Sequence, residues 1–263
     1  MPEYKALRFE VRDGVGWVTL SRPEVGNAIN REMALELLDV SLRCDEDPGV
    51  RAVVLTGSGP MFCTGGDLKS FATAGEDLPR LLKELTTYFH AAVSRFSRME
   101  APVIAAVNGT AAGAGMSLVC ACDLAVAVQS ARFVMAYTRA GLTPDGSGTY
   151  FLPRLVGVRR ALELTLTNRM LSAQEALEMG IVNRVVPDES LASEVESLAR
   201  QLAEGPTRAY GGAKRLIYQS WQESLETQME WEARTIADMA RTVDGREGIA
   251  AFLEKRHPHF KGQ

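Results

Sequence analysis

Two glycine-rich segments and one aspartate carry the residue types best suited to chemistry in this 263-residue chain. Gly65-Gly66-Asp67 follows the apolar run AVVLTG, Gly113-Ala114-Gly115 follows VIAAV, and each precedes a stretch with helical spacing. Glycine lets a backbone turn tightly and lets another molecule approach it, while a helix N-terminus presents N–H groups with no intrahelical partner. Ligand sites in α/β sheets gather at such strand ends. Singly, glycine after a strand is an ordinary turn. Together, the two segments suit a pair of backbone donors facing one carbonyl oxygen on which negative charge develops. Asp145, in LTPDGSG, reads first as the N-cap of the helix that follows and second as a proton acceptor. His90 falls beside an apolar helical stripe, where a structural histidine is the plain reading. Cys44, Cys63, Cys120 and Cys122 form no CxxC pair and have no neighbouring histidine, so no metal site is expected. His257 and His259, split by Pro258, are assigned no chemistry.

The elements that must position these residues are legible in outline. LRFEV and WVTL alternate as strands around the turn-like DGVG, and residues 31–43 carry helical spacing. Leu78, Leu81, Leu82, Leu85, Phe89, Ala92, Val93 and Phe96 form one face of a longer helix that Pro102 closes. The strand VIAAV, an Ala-rich helix, the strand DLAVAV and the glycine-rich loop AGLTPDGSGT come next. Ser172 and Glu175 are spaced as a capping box, VNRVVP reads as a strand ended by proline, and only helical periodicity follows Pro206. From Ala101 to Ala131 the only charge is Asp123, but Pro102, Asn108-Gly109 and further glycines break this run into pieces too short to span a bilayer. With 46% hydrophobic and 24% charged residues and a formal net charge of −4, the chain reads as one main globular α/β core with a smaller appendage. Such a charge gives no reason to expect nucleic acid or an anionic membrane as partner. MPEYKALRFEV lacks an apolar core of signal-peptide length, and with reduced thiols the expectation is a cytoplasmic protein.

PEVGNAIN at 23–30, GPMFCTGGDLKSF at 59–71, PVIAAVNGTAAGAGMSLVCACDLAVA at 102–127, GLTPDGSGTYFLPRLVG at 141–157, LSAQEALEMGIVNRVVP at 171–187 and GREGIAAFLEKRHPHF at 245–260 together resemble the enoyl-CoA hydratase/isomerase, or crotonase, superfamily. The resemblance runs from about residue 10 to the C-terminus and keeps the order of every motif. It implies a right-handed spiral of strand-strand-helix turns over residues 1–200 and a helical oligomerisation subdomain over 201–263, assembling homotrimers or dimers of trimers. It further implies an acyl-CoA thioester substrate whose carbonyl lies between the N–H groups of Gly66 and Ala114. Coenzyme A enters as part of that substrate, and no separate cofactor is expected. By the same resemblance Ala28 lies near the pantetheine, Gly66, Asp67, Leu68 and Lys69 near the adenine end, and Phe252 and Lys255 reach the coenzyme of the same or a neighbouring subunit.

The departures from the family pattern bear on the reaction. Family hydratases place two glutamates where this chain has Ser117 and Tyr137, and neither replacement is a carboxylate at neutral pH. Asp145 matches the base of the ring-epoxidised phenylacetyl-CoA isomerase group and of some other enoyl-CoA isomerases, and the nucleophile of 4-chlorobenzoyl-CoA dehalogenase. His90 matches the water-activating histidine of that dehalogenase, but Phe89 and Tyr137 stand where it has tryptophans. The sequence therefore points to an acyl-CoA isomerase with Asp145 as base. Tyr137 is expected to orient the acyl group or to hydrogen-bond to Asp145, and Ser117 to hold a water. The alternatives are an atypical hydratase, a dehalogenase or acyl-CoA hydrolase using Asp145 and His90, and a noncatalytic acyl-CoA-binding homologue.

Overall fold

The computed structural model describes residues 4–263. β1 (Leu7–Arg12) and β2 (Val15–Leu20) pair antiparallel across Asp13 and Gly14, both at positive φ as a tight two-residue hairpin demands. α1 (Arg31–Glu46) starts at Asn30, whose side chain accepts from the Met33 amide, and runs three residues past the expected end. β3 (Ala52–Gly57) is followed by a short β4 (Met61–Cys63), α2 (Leu68–Thr73) and α3 (Leu78–Arg98). The pattern repeats with β5 (Val103–Val107), β6 (Thr110–Ala112) and α4 (Ala114–Ala121). It repeats again with β7 (Leu124–Val128), β8 (Arg132–Val134), α5 (Gly148–Val156) and α6 (Val158–Thr167).

Each repeat gives one strand to each of two sheets. The larger sheet has the order β1-β2-β3-β5-β7-β10, parallel from β2 onward, with β10 formed by Arg184–Val186. The smaller is β4-β6-β8-β9, with β9 formed by Leu171–Ser172 and antiparallel to β8. The chain thus winds as a spiral of strand-strand-helix turns, as the sequence implies. One expectation is corrected: the two glycine segments follow β4 and β6 of the small sheet, not β3 and β5 directly. Strands of three residues show no alternation to read, and they exist here because the spiral holds their edges side by side.

α7 (Ala173–Glu178) opens with the expected capping box, both reciprocal bonds present between Ser172 and Glu175. α8 (Leu191–Ala203) runs through residue 200 and packs against β2, β3, β5 and β7. α9 (Thr207–Gln219), α10 (Leu225–Arg241) and α11 (Val243–Glu254) complete the chain. α9 is tied to the spiral by Lys214, which bonds the Asp123 carboxylate at 2.6 Å and the Ala101 carbonyl at 3.1 Å. No helix among the described residues is long and apolar enough to cross a membrane; the Ala101–Ala131 run is β5, β6, α4, β7 and the turn after it.

Candidate functional site

The two glycine segments meet. At Gly65 (φ +97°) an added Cβ would lie 3.0 Å from the Ala112 carbonyl oxygen and 3.3 Å from the Ala114 nitrogen, so only glycine allows this approach. Gly113, at φ 52° and ψ −123°, turns the chain from β6 into α4 in a conformation that glycine alone adopts readily. Gly115 lets α4 lie against β4: a Cβ there would sit 2.2 Å from the Cys63 carbonyl oxygen. Ile29 bridges to Gly66, with the Ile29 amide donating to Gly65 and the Asp67 amide donating to Ile29, which leaves the Gly66 N–H outside the bridge. Neither the Gly66 N–H nor the Ala114 N–H donates to a backbone or side-chain acceptor among the described residues. Both residues line one cleft of about 280 Å³, whose walls include Phe71, Leu85, Phe89, Tyr137 and Asp145. A pair of free amides, one at the first residue of a helix, facing an apolar cleft can stabilise an oxyanion.

Asp145 belongs to this cleft and is not a helix cap. The residue preceding α5 is Ser147, in the left-handed region, with no side-chain capping bond, and the Asp145 side chain accepts from the Tyr137 hydroxyl at 2.6 Å. The N-cap reading is therefore corrected. The cause is the 3-10 turn Tyr137–Ala140, entered through Ala136 at φ 54°, which folds the phenol back toward Asp145. Ser117 is fully buried, and its Oγ lies 3.0 Å from the Tyr137 oxygen. Tyr137 has a single proton and gives it to Asp145 Oδ1, so Ser117 donates to Tyr137, and the three side chains form a chain ending at the carboxylate. Burial first, then the charge of Asp145, raises the Tyr137 phenol far above its ordinary pKa, so it remains a donor. Ser117 thus binds Tyr137, and Tyr137 takes up the hydrogen bond to Asp145 that was one of its two expected roles.

The other residues singled out by sequence divide. Leu68 lines the cleft and is exposed. Ala28 is buried, and its carbonyl accepts from the Arg22 guanidinium at 2.5 Å. Lys69 is exposed beside the cleft-lining Leu68, whereas Phe252 and Lys255 are exposed on and just after α11 and do not line the cleft. His90 is exposed and also outside it; its Nε2 accepts the Gly146 N–H at 3.0 Å. Cys63 and Cys120 are buried, with thiols pushed up to about 12, so neither supplies a nucleophile.

Arg22 escaped sequence analysis. Its guanidinium bonds Asp67 Oδ2 at 2.9 Å as well as the Ala28 carbonyl, and Asp67 in turn caps α2 through the Ser70 amide. Burial works to raise the Asp67 carboxyl, but Arg22 and Ser70 outweigh it and the net shift is downward. Asp67 is spent on this brace and is only 5% exposed, which leaves its side chain little to offer a ligand. The brace flanks the Ile29–Gly66 bridge and so fixes the direction of the Gly66 amide. Arg22→Met is expected to lower turnover about 100-fold, the scale for an ångström of misplacement, while far-ultraviolet circular dichroism stays native. No signal local to residue 22 could have revealed a partner 45 positions away.

The chain matches the family model described as enoyl-CoA hydratase/isomerase over residues 10–263. It is 41% identical over 260 residues to a probable enoyl-CoA hydratase of Rhodobacter capsulatus, covering 99% of each chain. It is 40% identical over 255 residues to the 1,2-epoxyphenylacetyl-CoA isomerase of Escherichia coli, covering 96% of this chain and 97% of that one. The solved structure of a putative enoyl-CoA hydratase from Streptomyces coelicolor superimposes with a TM-score of 0.94 at 37% identity, covering 100% of this chain and 96% of that one.

Proposed function

Because the chain belongs to the enoyl-CoA hydratase/isomerase family, a family of acyl-CoA enzymes with the crotonase fold, we propose that it is an acyl-CoA isomerase working through a thioester enolate with Asp145 as the base. The observation that carries this reading is the arrangement of donors and acceptor around one cleft. Gly66 and Ala114 offer free N–H groups on its wall, and the carboxylate of Asp145, held through Oδ1 by Tyr137, keeps Oδ2 without a partner among the described residues. In the proposed reaction the thioester oxygen accepts from the two amides. Asp145 takes a proton from the α- or γ-carbon, the electron pair moves into the enolate, and the protonated Asp145 returns a proton at the other end of the conjugated system. Each step uses one base and one oxyanion site. Hydration requires a second carboxylate for the water, and the side chains bonded in line with Asp145 are those of Tyr137 and Ser117, neither of which is one.

The dehalogenase or hydrolase reading needs His90 to activate water. Its Nε2 lone pair is taken by the Gly146 amide, which favours the isomerase. The reading also includes self-assembly. α10 buries none of its side chains, and Ile236, Phe252 and Leu253 are 70%, 83% and 74% exposed, an apolar surface suited to another copy of this chain in a homotrimer or a dimer of trimers.

The test pairs two substrates. With a 3-enoyl-CoA the protein is expected to form the conjugated 2-enoyl isomer, read by absorbance and mass spectrometry. With crotonyl-CoA it is expected to add water about 100-fold or more slowly than a two-glutamate hydratase, the scale of one missing acid-base group. Hydration at full family rates without isomerisation would overturn the assignment.

A further inference from the structure

Asp145 lies on a wall between two cavities. Besides the acyl cleft it lines a second one of about 870 Å³, bounded by His90, Ser94 and Ser97 of α3, Thr149 of α5 and Gln219 of α9. Among the described residues, Asp145 is the only one shared by the two linings. Consecutive residues of α3 divide between them: Phe89 faces the acyl cleft and His90 the second cavity. Gly146 closes the partition, its N–H held by His90 Nε2 at 3.0 Å and its Cα set so close to Phe89 that an added Cβ would lie 2.5 Å from the ring. The wall is thus one residue thick at Asp145 and fixed on both sides of it.

The two cavities differ in what they can hold. A thioester seated at Gly66 and Ala114 fills the first and displaces water from that side of Asp145. The second sets hydroxyl, amide, imidazole and guanidinium groups, among them Ser97, Gln219, His90 and Arg98, beside apolar walls such as Val93 and Phe151, and at ~30 Å³ per molecule it has room for tens of waters. Resting on the reading of Asp145 as base, we propose that this rear cavity is a water port, through which the proton held by Asp145 exchanges with solvent while the acyl group blocks the front. The balance is simple. The substrate C–H breaks, an O–H forms on Asp145, and the electron pair passes into the enolate. The Asp145 proton then trades with one from cavity water, and the traded proton is delivered to carbon. No atom is gained or lost, and the product carries a hydrogen from solvent.

Ser94 offers a way to plug the port without touching the catalytic groups. It lies one helical turn beyond His90 on the same face of α3, is exposed, and its side chain tilts back toward His90. In deuterated water with a 3-enoyl-CoA at low conversion, wild-type product is expected to contain solvent deuterium. Ser94→Trp is expected to reduce deuterium per turnover about fivefold while isomerisation stays within about twofold, because only water access is changed. Ser94→Leu is expected to fall between, and Ser94→Ala to match wild type. Undiminished deuterium in a Ser94→Trp enzyme with normal turnover would overturn the port. So would wild-type isomerisation with no solvent deuterium, which would mean direct return of the substrate's own proton and would leave Asp145 as base. A wild-type protein that neither isomerises nor exchanges would overturn the reading beneath and the port with it.

Discussion

Replacing Asp145 by asparagine is expected to abolish isomerisation and solvent exchange together, with a loss of about 100- to 10,000-fold, the range for one positioned acid-base group. The substitution keeps the volume and leaves a side-chain oxygen to accept from Tyr137, now 2.6 Å from Asp145 Oδ1. Because that side chain caps no helix, nothing in α5 depends on its charge. The thermal midpoint is therefore expected to move little, and coenzyme A binding to persist, since neither Gly66 nor Ala114 is altered. Undiminished exchange in the asparagine variant would remove Asp145 from the mechanism. A variant that folds and binds but does not turn over separates chemistry from architecture, which is the distinction the capping interpretation blurred.

That interpretation marks where local reading of the sequence runs out. Asp next to Gly and Ser is a common N-cap setting, and although the family resemblance made Asp145 a base with Tyr137 as a candidate partner, nothing local could show that Ala136 turns left-handed and brings Tyr137 across an eight-residue gap. The same limit hid Arg22, whose partner Asp67 is close only after the Ile29–Gly66 bridge forms. It hid β4, β6 and β8 as well, because three residues carry no period and these strands are stabilised by their neighbours in the spiral. What could be read was local or dense in signal. The β1–β2 hairpin announced itself by alternation around Asp13-Gly14, α3 by an apolar stripe over five turns, and α7 by the Ser172–Glu175 capping box. The two glycine segments were legible as donors for a different reason: close backbone approach excludes side chains, and that exclusion is written directly into residue type. The two segments do lie against each other at Gly65 and Ala114, an arrangement that neither could have indicated alone.

Deleting one of those donors is expected to produce the other large effect. Ala114 is the first residue of α4, a position where proline is well tolerated because its missing N–H has no intrahelical partner and its fixed φ suits the helix. Ala114→Pro therefore removes the amide hydrogen at modest cost to the helix and sets the ring Cδ where the thioester oxygen would approach. Loss of a single oxyanion donor costs about 3 to 4 kcal/mol, or 100- to 1,000-fold in kcat, and crowding by Cδ adds to it. The Ser117–Tyr137–Asp145 chain is untouched, so the base keeps its support. The two variants should then differ in kind: Asp145→Asn retains an acidified α-carbon with nothing to remove the proton, whereas Ala114→Pro retains the base but leaves the carbon insufficiently acidic. Both should isomerise poorly, but only the first should still polarise the carbonyl of a bound enoyl-CoA, visible as a lowered carbonyl stretching frequency in difference infrared spectra. An Ala114→Pro enzyme with wild-type kcat and an unshifted carbonyl band would show that the thioester does not lie between these two amides.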